Sequence, residues 1–295
     1  MKQSSHENLA GYLFLLPIIL GILVFTALPF VLSFYYSFTE FDNISPAVWK
    51  GFENYSRLFT DKVFLNSLKV TFVYTVISVS LSLFLGFLMG VLMNVKLKGI
   101  KLFRVLIYTP CIIPAVASAA IWQDMFNPTH VGIINRFLDV FGIPPQKWFV
   151  SEKTAMLTLI LMSLTGVGGG MLMWIAGFNN ISRSYYEAAD LDGANRFQKL
   201  VRITLPMMTP LIFYNLVMSI IASLQSFGNA YLLTGGGPFE STNFIALNIY
   251  RVGISQFNMG YASAQAWIMF LIIMVFVVVI FRTSGWVYYG DDGKK

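Results

Sequence analysis

Side chains that could carry out catalysis are few and scattered in this chain of 295 residues. The two histidines, His6 and His130, are far apart in sequence, and Cys111 is the only cysteine. The sequence contains neither a His-Glu-x-x-His pattern nor the cysteine cluster of a zinc site. Its one Gly-Lys pair, at 293–294, is followed by lysine instead of the Ser or Thr of a phosphate-binding loop. These residues favour neither an enzyme nor a nucleotide-binding protein.

A charged segment in the second half of the chain is the most distinctive polar feature. Ser184 and Glu187 have the spacing of a capping box, which predicts a short helix from Tyr185 to about Leu191. Gly193 follows, and glycine readily takes the left-handed conformation that ends a helix. We therefore expect a helix and a sharp turn here.

A second short helix is predicted after this turn. Asn195 can cap it, with Gln198 three residues later. Leu205 precedes Pro206, and a residue before proline is disfavoured in the helical region, so we expect this helix to end at Leu205. Pro206 suits the first turn of a new, membrane-spanning helix.

The first of these helices has the composition of a docking surface. Glu187 and Asp190 share one face, and Ala188 and Ala189 leave room for another protein to approach closely. The alternative is an amphipathic helix lying on lipid. Interfacial helices favour Lys and Arg on the polar face, so the acidic character favours a protein partner.

Uncharged polar residues form a second pattern. Asn215, Ser219, Ser223 and Ser226 recur at intervals of four, four and three residues, which places them on one helical face. Small residues fill 165–170, a stretch that begins with threonine and contains four glycines. A path for a neutral polar solute would need such groups. Close helix packing and interhelical hydrogen bonds are the alternative explanation.

The elements that must position these residues are membrane helices. Charged residues are 12% of the chain, against about 25% in a soluble domain, and the mean hydropathy is +0.67. Six runs of 19 residues or more lack Asp, Glu, Lys, Arg and His, and about 20 apolar residues cross a bilayer. We therefore predict one domain over 1–295 with six transmembrane helices, at about 10–37, 70–94, 104–124, 155–178, 205–229 and 262–282, and a cytoplasmic loop at 183–205.

The distribution of basic residues predicts the orientation. With the N-terminus inside, the inner segments hold 12 Lys and Arg and the longer outer loops hold 8. The positive-inside rule favours this arrangement, with both termini in the cytoplasm. Anionic lipid of the cytoplasmic leaflet accounts for the net charge of +6.

Four stretches carry a family resemblance that covers essentially the whole chain. Glu187-Ala188-Ala189, Gly193 and Ile203-x-Leu205-Pro206 resemble the EAA loop of inner-membrane permease subunits of binding-protein-dependent ABC importers. The stretches 112–122, 232–238 and 260–266 resemble the carbohydrate branch of that family, of the maltose, glycerol-3-phosphate and multiple-sugar type. The resemblance implies an all-α membrane protein with six transmembrane helices and the type I ABC importer permease (MetI-like) fold.

The resemblance also implies roles for particular residues. The EAA loop of the family is the coupling helix held by the cytoplasmic ATPase, which assigns that role to Glu187, Ala188, Ala189, Asp190 and Gly193. The pocket positions of the maltose-type subunit correspond to Thr165, Gly166, Gly169, Ser219, Ser223 and Ser226. The outer loop expected to dock the binding protein contains Gly235, Gly236, Gly237 and Pro238.

The partners implied are a second homologous permease, two ATPase subunits that bind ATP and Mg²⁺, and an extracytoplasmic solute-binding protein. No cofactor is expected in this chain, and the bacterial plasma membrane is the expected location. The expected function is import of a sugar or oligosaccharide. Two alternatives stay open. The first is an ABC importer for a non-carbohydrate solute, because the family's EAA loop is shared by ABC importers of amino acids, peptides, metals and phosphate. The second is a stand-alone facilitator, which would also lack charged residues inside the membrane.

Overall fold

The computed structural model describes residues 5–95 and 97–288. Contacts within the chain separate two compact units. The first unit comprises residues 1–65 and 248–271, and the second comprises 66–247 and 272–295. The boundaries between the units fall within three helices, α4 (Lys62–Met93), α14 (Ile245–Tyr250) and α15 (Met259–Arg282).

The remaining elements are mostly helical. Those before α4 are α1 (Ser5–Ile22), a π-helical turn at Leu23–Ala27, α2 (Leu28–Tyr36), β1 (Thr39–Glu40), β2 (Val48–Trp49) and α3 (Glu53–Leu58). Those between α4 and α15 are α5 (Ile100–Tyr108), α6 (Ala115–Met125), α7 (Ile133–Asp139), α8 (Glu152–Ser163), α9 (Val167–Asn180), α10 (Arg183–Leu191), α11 (Arg196–Lys199), α12 (Leu205–Leu224), α13 (Gly228–Leu233) and α14 (Ile245–Tyr250). The strands β1 and β2 pair antiparallel, so a two-residue ribbon accompanies the expected helices.

Five helical segments of the described chain are long and apolar enough to cross a membrane. They are Tyr12–Tyr36, Lys62–Met93, Glu152–Asn180, Arg196–Leu233 and Met259–Arg282. Each contains most or all of one span expected from the sequence. The additional turns lie at the ends, where charged residues such as Lys62 and Glu152 continue a helix beyond its charge-free run.

The third expected span, 104–124, is not a straight helix. Residues Ile100–Ile112 and Ala115–Met125 form two helical pieces bent by 103°, which would make a sixth span if both belong to one crossing. Pro114 explains the break, because a residue before proline avoids the helical region and Ile113 is extended, with ψ 128°.

The helix that contains the fifth span begins before the position predicted for the span. The expected break at Leu205 is wrong, since Leu205 is helical, with φ −59° and ψ −51°. A π-helical turn at Leu200–Thr204 joins α11 to α12 directly. Proline lacks the N–H of a regular helix and its ring crowds the carbonyl four residues earlier, so the wider turn just before Pro206 accommodates it.

In the second unit, α9 packs closely on α4 through small residues. Gly86 and Gly90 are spaced as in the Gly-x-x-x-Gly motif of membrane helix pairs. A Cβ added at Gly90 would lie 2.5 Å from the Cβ of Trp174, and one at Gly86 would lie 2.8 Å from its Nε1. The two glycines therefore make the space that Trp174 occupies.

In the first unit, aromatic and polar contacts hold the chain around β1 in place. The ring of Trp267 lies against Phe30 and Phe34, with centroids 4.7 Å apart in both pairs. The side-chain amide of Asn54 donates to the backbone oxygens of Ser37 and Thr39. These contacts fix the position of α2 and the ribbon within this unit.

Candidate functional site

A cavity of about 370 Å³ lies within the second unit between α4, α9 and α12. Its lining combines hydroxyl groups, one amide, small or apolar side chains and two aromatic rings. The lining residues are Tyr74, Ser78, Val79, Ser82, Leu83, Gly86, Ser163, Gly166, Val167, Gly170, Trp174, Asn215, Ser219, Ala222, Ser223 and Ser226. This set contains no Asp, Glu, Lys, Arg or His, so the cavity suits a neutral polar molecule.

Most of the pathway residues expected from the sequence line this cavity. Gly166, Ser219 and Ser223 of α12, and Ser226 just beyond its end do so, whereas Thr165 and Gly169 do not. The Thr165 hydroxyl donates to the backbone oxygen of Met162 at 2.7 Å. A Cβ added at Gly169 would lie 3.6 Å from the Sγ of Cys111, so Gly169 points toward the turn after α5. A lining role is therefore supported for Gly166 and not for Gly169.

The contribution of α4 was missed by sequence reasoning. Tyr74, Ser78, Ser82 and Gly86 all line the cavity and recur every four residues. Residues at this interval lie on one face of a helix, so the pattern was visible in the sequence. Like the serines of α12, these residues are mostly hydroxyl-bearing and lie on one face of their helix, and both faces line the same cavity.

Ser223 both lines the cavity and joins two helices. Its hydroxyl donates to Thr75 Oγ1 at 3.1 Å and lies 3.2 Å from Ser78 Oγ. Both interpretations of the serine stripe, helix packing and cavity lining, therefore apply to this residue. For Asn215, the side-chain amide donates to the Leu211 backbone oxygen at 2.8 Å.

The segment around α10 and α11, residues 182–204, is called the coupling segment below. The predicted capping box at Ser184 is wrong, because Ser182 is the N-cap and its hydroxyl accepts from the Ser184 backbone N–H. The helix consequently begins at Arg183, two residues earlier than expected. The second prediction is confirmed, since Asn195 and Gln198 form a reciprocal capping box at the start of α11.

The turn between these helices has the geometry that the glycine predicts. Gly193 has a φ of +74°. Its N–H bonds the Asp190 oxygen, and the Ala194 N–H bonds the Ala189 oxygen at 2.9 Å. This pair of bonds is a Schellman motif, which requires a left-handed residue at Gly193.

The coupling segment is anchored to the spanning helices at one side and open on the other. The Tyr186 ring packs on the core formed by Trp174, Phe178 and Met208 of the spanning helices. Within the segment, the Tyr186 hydroxyl lies 2.9 Å from Thr204 Oγ1, in the π-helical turn that continues into α12. An ion pair joins Asp190 to Lys199. The other predicted coupling residues are accessible, with Glu187 and Ala188 exposed and Ala189 partly so.

The glycine-rich loop after α13 forms a hydrogen-bonded turn. Gly235 and Gly236 have positive φ values of +55° and +87°. The Thr242 hydroxyl donates to the Gly237 oxygen at 2.7 Å and lies 2.7 Å from Thr234 Oγ1. The loop that contains Gly235–Pro238 is therefore tied at its base.

Comparisons with known proteins agree with this architecture. Residues 82–289 match the model of the family described as "Binding-protein-dependent transport system inner membrane component". The chain is 41% identical to the probable ABC transporter permease protein YesP of Bacillus subtilis (strain 168), over 98% of this chain and 96% of the relative. It is 31% identical to the trehalose/maltose transport system permease protein MalF of Thermococcus litoralis, over 96% of each chain.

A solved structure shows the same fold. A chain of a bacterial ABC transporter involved in import of the acidic polysaccharide alginate superposes with a TM-score of 0.85. The sequences are 25% identical, and the match covers 95% of this chain and 96% of that one. This likeness confirms the predicted fold class, with the third span bent as described above.

Proposed function

The chain belongs to the family of inner membrane components of binding-protein-dependent transport systems, and from this premise we propose that it forms the path for a sugar or oligosaccharide in an ATP-driven importer. The family resemblance expected from the sequence is confirmed by this match. The observation that carries the proposal is the uncharged, hydroxyl-lined cavity between α4, α9 and α12. Sugars offer hydroxyl groups and apolar ring faces, which such a lining can bind without a charged residue.

The names of several relatives support carbohydrate as the solute class. Besides the trehalose/maltose permease, they include the arabinooligosaccharide permease AraP of Bacillus subtilis, 30% identical over 96% of this chain. The permease SmoG of Agrobacterium fabrum, 32% identical over 94%, is named for sulfoquinovosyl glycerol. The shared feature of these solutes is a glycosyl group.

The energy for transport is assigned to a separate pair of ATPase subunits, which bind ATP and Mg²⁺. Glu187, Ala188, Ala189, Asp190 and Gly193 would dock there. Support for this role comes from their exposure and from the anchoring of the same segment by Tyr186. Closure of the ATPase dimer would then displace the ends of α9 and α12 together.

The remaining partners in this proposal are a second, homologous permease and an extracytoplasmic solute-binding protein; the family description supports the dependence on a binding protein. The tied loop at Gly235–Pro238 would contact that binding protein. In this arrangement the protein lies in the bacterial plasma membrane, with both termini and the coupling segment on the cytoplasmic side.

A matched pair of variants on α12 tests the lining role. Ser219 lines the cavity, whereas the adjacent Met218 is 48% exposed and does not. Ser219→Phe fills the cavity and removes a hydroxyl, and we expect uptake at limiting sugar to fall about tenfold, equivalent to about 1.4 kcal/mol of binding. Met218→Phe should transport as the wild type does.

The assay uses the complex with its co-purifying subunits, reconstituted in liposomes with ATP and a panel of sugars. Equal uptake by the two variants, with normal assembly, would exclude a lining role for Ser219. Solute equilibration by the isolated chain would instead favour a facilitator. Stimulation of ATP hydrolysis only by non-carbohydrate solutes would overturn the assignment to sugars.

A further inference from the structure

A second cavity in the same unit, of about 560 Å³, lies away from the hydroxyl-lined cavity. Its wall is formed by the end of α4, the last turns of α9 and the coupling segment. Residues of these elements and Asn94 and Val95, which directly follow α4, contribute to it, and none of them lines the first cavity. The solute path proposed above therefore does not include this cavity.

The lining is divided by chemistry into two parts. Val91, Val95 and Phe178, from the ends of two spanning helices, supply apolar surface. Asn94, Arg196 and Lys199 supply hydrogen-bond donors and positive charge. The complete lining contains no carboxylate. An occupant that matches both parts is amphipathic and carries a negative charge.

The two cations differ in how far they are already neutralised. Lys199 forms an ion pair with Asp190. Arg196 is exposed and forms no ion pair among the residues that the structure describes. Arginine binds phosphate oxygens through a fork of N–H donors, so it is the stronger candidate for contact with a phosphate.

The position of the cavity at the end of α4 indicates that the phosphate belongs to a lipid headgroup. The charge-free part of α4 runs from Val70 to Met93, with Val91 in its last turn, and Val95 follows two residues after the helix ends. A run of this length, at about 1.5 Å per residue, exceeds the hydrocarbon thickness of about 30 Å, so its end reaches the headgroup layer. Basic pockets between helices at this depth suit anionic headgroups.

We propose that this cavity binds one anionic phospholipid, with its phosphate on Arg196 and the start of an acyl chain against Val91 and Val95. Such a lipid would lie between the end of α4 and the coupling segment. Its site goes beyond the proposed transport function, because it does not depend on which solute is carried.

Native mass spectrometry of the detergent-purified complex, titrated with phosphatidylglycerol, tests the proposal. We expect Arg196→Gln to weaken binding of one lipid about fivefold, since a basic residue near anionic lipid contributes about 1 kcal/mol. Arg282→Gln, in the last turn of α15 and outside the lining, should leave it unchanged. Val95→Trp, which fills the apolar part of the cavity, should also weaken lipid binding, whereas Arg196→Lys should retain most of the lipid binding.

Phosphatidylcholine with the same acyl chains should bind weakly. Equal weakening by Arg196→Gln and Arg282→Gln would mean a general surface-charge effect and would overturn the proposal. Displacement of the lipid by millimolar inorganic phosphate would assign the cavity to a soluble phosphate group instead. Binding only by complexes stripped of the ATPase would identify that partner as the occupant, and would likewise overturn it.

Discussion

The turn at Gly193 offers a test that separates backbone strain from docking. Its φ of +74° lies in the left-handed region, and a Cβ added there would meet no atom within 4 Å. Gly142 has nearly the same conformation, with a φ of +70° and equally open surroundings, but lies outside the coupling segment. The two glycines therefore form a matched pair.

Alanine at either position should introduce the same strain. A left-handed residue with a Cβ costs about 1–2 kcal/mol, which lowers the population of the native turn by a factor of about 5–30. We expect Gly193→Ala and Gly142→Ala to lower the thermal stability of the complex to a similar extent.

Tryptophan at either position introduces the same backbone strain and, in addition, a large side chain. If the coupling segment fits into a groove of the ATPase, Gly193→Trp overfills that interface, and overpacking costs about 1–3 kcal/mol more. We expect the Gly193→Trp complex to retain much less ATPase, and to show much less ATP-driven uptake, than the Gly193→Ala complex. Gly142→Trp should retain the ATPase as Gly142→Ala does.

The assay measures how much ATPase stays with a tagged permease during purification, and then uptake by the reconstituted complexes. Equal ATPase retention by Gly193→Trp and Gly193→Ala would refute the docking role of this turn. An equal loss in Gly142→Trp would attribute the effect to strain alone.

Two further predictions concern the first unit. A Cβ at Gly260 would lie 2.0 Å from the Thr39 backbone oxygen, so Gly260→Ala should lower the unfolding temperature. At Gly21 a Cβ would meet nothing within 4 Å. Gly21→Ala should therefore raise the unfolding temperature slightly, since alanine is favoured over glycine in a helix by about 0.5–1 kcal/mol. Burial raises the pKa of Asp61, but hydrogen bonds from the Tyr261 hydroxyl and two backbone N–H groups outweigh it, so the pKa is lowered from 3.8. A lowered pKa stabilises the fold above pH 3.8, and that stability is lost as the pH falls through the folded-state value. The difference in melting temperature between wild type and Asp61→Asn should therefore be constant at neutral pH and shrink in strong acid; a difference that grows on acidification would contradict this reasoning.

Much of the fold could be predicted because hydrocarbon imposes a simple rule on the sequence. Charged side chains are excluded from the bilayer centre, so charge-free runs identify the spanning segments without knowledge of packing. The turn at Gly193 was predictable for a comparable reason, since few residues other than glycine tolerate its conformation. Both features depend on local chemistry alone.

Features that depend on how helices meet were harder to predict. Run length alone hides the 103° bend between α5 and α6, although Pro114 marks where the helix breaks. The Gly86-x-x-x-Gly90 pattern was visible, but only the structure shows that Trp174 fills the space. Likewise, the stripe on α4 gains meaning only beside the serines of α12, because a cavity is a property of several helices.

The wrongly predicted break at Leu205 has the largest consequence for the proposed mechanism. A break there would leave the coupling segment attached to the fifth span through a flexible joint. Instead, α11, the π-helical turn and α12 form continuous helical backbone from Arg196 to Leu224. The same helix carries Thr204, which meets Tyr186 at one end, and Ser219 and Ser223 at the cavity. A helix transmits displacement along its axis because each turn is hydrogen-bonded to the next. Movement of the coupling segment would therefore reach the cavity wall through one element, while the π-turn supplies a point where the helix can change its bend.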